Sequence, residues 1–147
     1  MNFTIKSDLK NVIPMEHRET VLKRIGKIIA GNIVKRTQFE NVDVNKKAFR
    51  PYSEKYTDYK QKKGGSGNIV NLTSVESHPH MMSGIDIVNV DNNSVEVGFS
   101  DQNFIERANY NETRKGRERE FMGVNEDDSK QIDDTISDYI DNELNNL

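Results

Sequence analysis

Apolar residues recur at spacings of three and four through "MEHRETVLKRIGKIIAGNIVKRTQF", at Met15, Val21, Leu22, Ile25, Ile28, Ile29 and Ile33. This is the period of an α-helix with one buried stripe. Arg18, Lys23, Arg24, Lys27 and Lys35 fall between them and give the helix a basic outer face, which is more often a solvated side than a membrane or nucleic-acid surface. Pro14 stands where a helix start tolerates a residue without a backbone N–H. Ahead of it Phe3 and Ile5 alternate with polar residues, as in a short strand.

A different period appears after residue 84. "GIDIVNV" and "SVEVGFS" alternate apolar and polar positions through Ile85, Ile87, Val88, Val90, Val95, Val97 and Phe99. Asp91, Asn92 and Asn93 lie between and favour a turn, so the pair predicts a β-hairpin with one buried face. "DQNFIERANYNE" then predicts a short helix opening at Ser100 or Asp101, turning Phe104, Ile105 and Ala108 inward and ending near Tyr110. "ETRKGRERE" has no apolar residue and is expected to be an exposed loop. Asn125 followed three residues later by Asp128 is a helix N-cap signature, and Ile132, Ile136, Tyr139, Ile140 and Leu144 keep helical spacing to the end. The expected fold is α+β: an antiparallel β-sheet packed by an N-terminal and a C-terminal helix, with long loops, in a single domain over residues 1–147.

Between the two periodic regions, residues 46–63 mix Phe49, Tyr52, Tyr56 and Tyr59 with seven Lys and Arg. Aromatic and basic residues interleaved in this way can stack single-stranded nucleic acid. The tyrosines, however, recur at four and three and Ser53 can cap a short helix after Pro51, which predicts one packing face. "GGSG" at 64–67 breaks the pattern without the Lys-Ser/Thr that a phosphate-binding loop needs. "SHPHMMSG" at 77–84 raises a metal site, but Pro79 splays His78 and His80, and His17 is distant in sequence. A turn capped by Ser77, with Met81 and Met82 filling the core, is expected instead.

Composition narrows the function. Only 33% of the 147 residues are hydrophobic against 31% charged, and the mean hydropathy is -0.83. No apolar run is long enough to cross a bilayer, and the first residues lack the apolar stretch of a signal peptide, so synthesis in the cytoplasm is expected. The chain has no cysteine, which removes disulfides and thiolate metal sites. A net charge of -3 hides a division: residues 1–63 carry a net +8 and residues 64–147 a net -11. Such halves can cover each other within one chain, or lie on opposite faces so that copies attract head to tail. The acidic residues are strung along the closing helix as Glu126, Asp127, Asp128, Asp133, Asp134, Asp138, Asp141 and Glu143, which reads as a dispersed solvated face. The serines stand in no nucleophile motif, so no enzyme, metal or cofactor is expected.

From about residue 36 onward the chain carries an ordered series: "RTQF", "FRPYSEKYTDYK", a glycine-containing break, "VNLT", "MMSGI", "VEVGF", "ERANYNE" and "REFMGVNEDDSKQI" before a closing helix. The series resembles the tail-completion or virion-morphogenesis proteins of tailed bacteriophages, the Mu G-like family and its head-tail joining relatives. The matching positions are Phe49, Pro51, Tyr52, Ser53, Tyr56, Thr57, Lys60, Leu72, Arg119, Phe121, Gly123 and Val124. Two positions depart from the pattern. "ESHPHMMSG" replaces the usual threonine-glycine turn, and Arg117-Glu118 stands where proline often precedes Arg-Glu-Phe.

The resemblance implies a small α+β subunit of a homo-oligomeric ring, taken as a hexamer, in the neck or head-proximal tail end of a virion. Its partners would be head connector or portal-side proteins and tail tube or tail terminator proteins. DNA would pass through the lumen without sequence-specific binding, no membrane would be involved, and assembly would occur in the host cytoplasm. Arg107, Arg114, Lys115, Arg117 and Arg119 are the expected interface cations. The alternative is a small nucleic-acid-binding or regulatory protein using the basic N-terminal half.

Overall fold

The computed structural model describes residues 2–6, 8–62, 81–116 and 118–146. Three strands, β1 (Phe3–Lys6), β2 (Asp86–Val90) and β3 (Ser94–Gly98), form an antiparallel sheet in the order β1-β3-β2. Alternation puts Val95 and Val97 on one face of the central strand, both fully buried. Ile5 of β1 faces Val95, and Phe3 faces Val97. From the other side Ile87 faces Val97 and Val90 faces Val95, although they are an odd number of residues apart. A register shift between Ile87 and Asn89 makes this possible, with Val88 as the extra residue of a β-bulge. The Asp91 carboxylate holds the hairpin turn by accepting from the Asn93 and Ser94 amides at 2.7 and 2.8 Å. These bonds keep it below the usual carboxylate range.

Helix α1 (Met15–Val34) lies on the apolar face of the sheet, touching β2 and β3. Leu22, Ile25, Ile29 and Ile33 are completely buried. Gly26 sets the approach: a Cβ there would stand 2.8 Å from both Ile87 Cγ1 and Val95 Cγ2, so only glycine lets helix and sheet come this close. Met15, expected in the buried stripe, is 59% exposed because the first turn precedes the packed stretch, whose first buried residue is Val21. A π-helical turn, Lys35–Phe39, ends the helix and leaves Phe39 78% exposed.

Helix α2 (Glu54–Lys62) begins after Pro51 as expected, with Ser53 Oγ accepting from the Tyr56 amide at 3.2 Å. Met81 and Met82 open a short 3-10 turn, Met81–Gly84, and fill the core, which agrees with their expected role. Helix α3 (Gln102–Thr113) is capped by Asp101, whose side chain accepts from the Asn103 amide at 2.8 Å. It runs one turn past the predicted end near Tyr110. Asn111 and Thr113 bond back to the carbonyls of Arg107 and Asn109, a polar last turn that apolar periodicity does not register.

Helix α4 (Glu126–Tyr139) starts with the predicted capping box between Asn125 and Asp128 and closes with a π-helical turn, Ile140–Leu144. It packs on α1, so α1 is the layer shared by sheet and helix. Ile132, Ile136, Ile140 and Leu144 pack against the core, and Tyr139 is buried. The α+β class with terminal helices and an antiparallel sheet is therefore the fold of the chain. No helix among the described residues is long and apolar enough to cross a membrane.

Candidate functional site: an aromatic and basic cluster beside α2

The segment before α2 and the segment before α4 meet. Asn125 Nδ2 donates to the Val44 carbonyl at 3.0 Å, and the Val44 amide donates to Glu120 O at 2.8 Å. Further along, Arg119 donates to the Arg50 carbonyl and Arg50 donates to the Gly116 carbonyl. These bonds hold the basic loop 114–119 against residues 49–52. Arg119, expected on an exposed loop and at an oligomer interface, is instead 7% exposed. The absence of apolar residues in "ETRKGRERE" misled, because the guanidinium is covered by rings rather than by its own neighbours in sequence. Its Cζ lies 4.2 Å from the centroid of Tyr52 and 6.0 Å from that of Phe49.

Lys60 completes the cluster. Its Nζ lies 4.6 Å from the Tyr52 centroid, and the residue is only 2% exposed. Burial, reinforced by the charge of Arg119, lowers the ammonium from 10.5 to about 8. Burial likewise pushes the Tyr52 phenol up to about 12, against the opposing pull of Arg119. Glu112, also expected in the exposed loop, is half-buried; its carboxylate accepts from the Met122 amide at 2.7 Å, and burial raises it. Phe121 and Met122 lie buried beneath.

The three tyrosines do not form one packing face. Tyr52 is partly buried, whereas Tyr56 and Tyr59 remain 44% and 43% exposed. They form a ladder: Tyr52 meets Tyr56 edge-on at 4.8 Å, and Tyr56 meets Tyr59 at 6.0 Å. Lys60 is the buried residue of this short helix, while Tyr56 and Tyr59 before it stay exposed.

A second polar cluster joins α1 to α4. Arg36 Nη1 donates to Asp128 Oδ2 at 2.7 Å with both side chains buried, and Nη2 donates to Gly123 O at 2.7 Å and Phe121 O at 3.2 Å. Gly123 can turn its carbonyl toward Arg36 because its φ is +123°, in the range that disfavours side chains. Asn32 donates to Asp128 Oδ1 at 2.9 Å. Asp128 is thus not part of a solvated acidic face. Neither Arg36 nor Asp128 stood out as a buried pair in the sequence, although the Asn125–Asp128 capping signature lay beside it.

The expected matching residues divide between these clusters. Phe49, Tyr52, Lys60 and Arg119 pack together; Phe121 and Gly123 support Arg36; Val124 is partly buried. Ser53 and Thr57 serve α2 itself, with Thr57 Oγ1 donating to Ser53 O at 3.0 Å. Pro51 is exposed. Of the expected interface cations, Arg114 and Lys115 are exposed and Arg107 is partly buried. Leu72, Arg117, Ser77, His78, His80 and "GGSG" lie outside the described residues. A groove of about 520 Å³ lies elsewhere, along α1, lined by Ala30, Gly31, Val34, Met82 and Ile85 among others. Among the described residues no group of three or more His, Asp or Glu stands close enough to hold a metal.

Of the two arrangements open to the charged halves, the described residues show much of the first. Four ion pairs join them: Arg24–Glu143 at 3.2 Å, Lys27–Asp86 at 2.8 Å, Arg36–Asp128, and Lys46–Asp127. Comparison of the chain with protein-family models, with curated proteins and with solved structures finds no match.

Proposed function

We propose that the chain is a structural virion protein, a tail-completion or head-tail connector subunit that closes into a ring at the neck of a tailed phage. Its work is shape and adhesion, with no chemistry of its own. DNA passes through the bore, and the flanking partners are a head connector and the tail. One observation carries the reading. The two segments most distinctive of the resemblance, 51–60 and 119–124, are far apart in sequence yet meet where Arg119 lies over Tyr52 and over Phe49 just ahead of the first segment. A motif pair that meets in space can act as one structural unit, which supports the reading.

Large apolar side chains left outside give further support: Phe39, Met15, Val12, Tyr110, Tyr56 and Tyr59 are all more than two-fifths exposed. A subunit completed by neighbours keeps such residues for its contacts. The nucleic-acid reading loses part of its basic surface, because Arg24, Lys27, Arg36 and Lys46 already pair with carboxylates of the acidic half, while Arg50, Lys55 and Lys62 stay exposed.

The test is electron microscopy of lysates from a phage whose copy of this chain is disrupted. Filled heads and separate tails are expected, with joining restored when the purified chain is added. Normal joined particles without the chain would contradict the proposal.

A further inference from the structure

We propose that the open side of α2 and the adjoining basic loop dock on the outer face of α4 of a second copy, head to tail. The inference rests on the ring reading and names the surfaces that make the ring. The first surface is the Tyr56–Tyr59 ladder, with rings 6.0 Å apart and tilted by 36°. Arg50, Lys55 and Lys62 of the same segment and Arg114 and Lys115 of the basic loop are exposed, and none makes an ion pair among the described residues. The Arg50–Gly116 and Arg119–Arg50 bonds tie Arg50 to the chain beside Arg114 and Lys115. Tyrosine with arginine is the residue pairing that protein interfaces favour at their centre.

The second surface is a stripe on α4. Asp134, Asp138 and Asp141 recur at spacings of four and three, are exposed, and make no ion pair among the described residues. Carboxylates so spaced on one helix repel each other, so external cations relieve the strain. Three other carboxylates of the helix and its closing turn are engaged, Asp128 by Arg36, Asp127 by Lys46 and Glu143 by Arg24, whereas Glu126 and Asp133 make no ion pair among the described residues.

The partner must be another copy because of where the two surfaces lie. α4 runs antiparallel to α1, with Asp128 beside Arg36 at one end and Glu143 beside Arg24 at the other. The basic cluster is tied to the first end through Val44, Glu120 and Asn125. Asp141 is therefore about 20 Å further along the helix axis at ~1.5 Å per residue, away from the basic cluster of its own chain. Complementary surfaces at opposite ends of one molecule make a heterologous contact, which closes into a ring when the rotation between copies permits.

The chain has no cysteine, so single cysteines introduced into it are unique. Tyr59→Cys and Asp138→Cys chains are mixed and treated with a short bismaleimide, with circular dichroism confirming that each is folded. A Tyr59→Cys/Asp138→Cys dimer is expected in at least tenfold excess over a Thr4→Cys/Asp138→Cys control, and is lost in 1 M salt. In parallel, Lys55→Glu/Lys62→Glu weakens self-association at least tenfold, and mixing with Asp134→Lys/Asp138→Lys restores it.

The outcomes separate the two claims. If light scattering shows a wild-type oligomer but the mixed cross-link stays at the control level, the docking surfaces are wrong and the ring stands. A wild-type monomer at every concentration overturns both. If labelled oligothymidylate binds the wild type, and Lys55→Glu/Lys62→Glu abolishes that binding without changing the oligomer, the surface belongs to single-stranded nucleic acid and the docking inference falls.

Discussion

The seam between α1 and α4 and the cluster beside α2 handle buried positive charge in opposite ways. In the seam, Arg36 meets the carboxylate of Asp128 and two backbone carbonyls at 2.7–3.2 Å. In the cluster, Arg119 and Lys60 meet the face of Tyr52 at 4.2 and 4.6 Å; the Nε of Arg119, like that of Arg36, has no hydrogen-bond partner among the described residues. The seam is electrostatically closed and fastens one end of the chain to the other. The cluster is supported by rings and carbonyls, and its periphery keeps cations and tyrosines facing outward. The molecule thus cancels its charges internally in one place and displays them in another.

The largest effect is expected where that contrast is sharpest. Arg36→Met leaves Asp128 buried without its cation and should cost ~3–5 kcal/mol of unfolding free energy in urea. A loss below ~1 kcal/mol would mean the seam is not held by this pair.

A pH series separates the regions next. Because Lys60 is lowered from 10.5 to about 8 in the fold, the unfolded chain binds the extra proton between those values, so stability rises with pH across that window. Because Tyr52 is raised from 10.0 to about 12, its contribution is complete below 10 and is lost as pH climbs to 12. The cluster's contribution therefore peaks near pH 10. Lys60→Met should remove the rising limb and Tyr52→Phe the falling one, read from urea midpoints; identical profiles for wild type and both variants would contradict the burial of the two groups.

Arg119→Met sharpens the comparison further. No buried carboxylate is orphaned, so the loss should be only ~1 kcal/mol, the value of one hydrogen bond. A cost equal to that of Arg36→Met would erase the distinction between the regions. The smallest effect belongs to Arg24→Ala, whose pair with Glu143 is about half exposed. It should cost under ~1 kcal/mol and less still in high salt.

Much of the fold was legible because it rests on local period. The α1 stripe, the Asp91 turn, the Asp101 and Asn125 caps and the core role of Met81 and Met82 all follow from neighbours in sequence. What was hidden depends on pairs far apart in the chain. Nothing local marks Lys60 as the buried residue of α2 when Tyr56 and Tyr59 precede it on the same helix. Arg119, in a run without apolar residues, is covered by Tyr52 and Phe49, residues some seventy positions earlier. The bulge at Val88 was also concealed, since "IVNV" satisfies two registers until β3 selects one.

Self-association decides the central claim most directly. Light scattering on the full chain at rising concentration should give a discrete mass that is a whole multiple of 16.9 kDa and then stops growing, the mark of a closed ring. A mass that stays at 16.9 kDa throughout the range would contradict it.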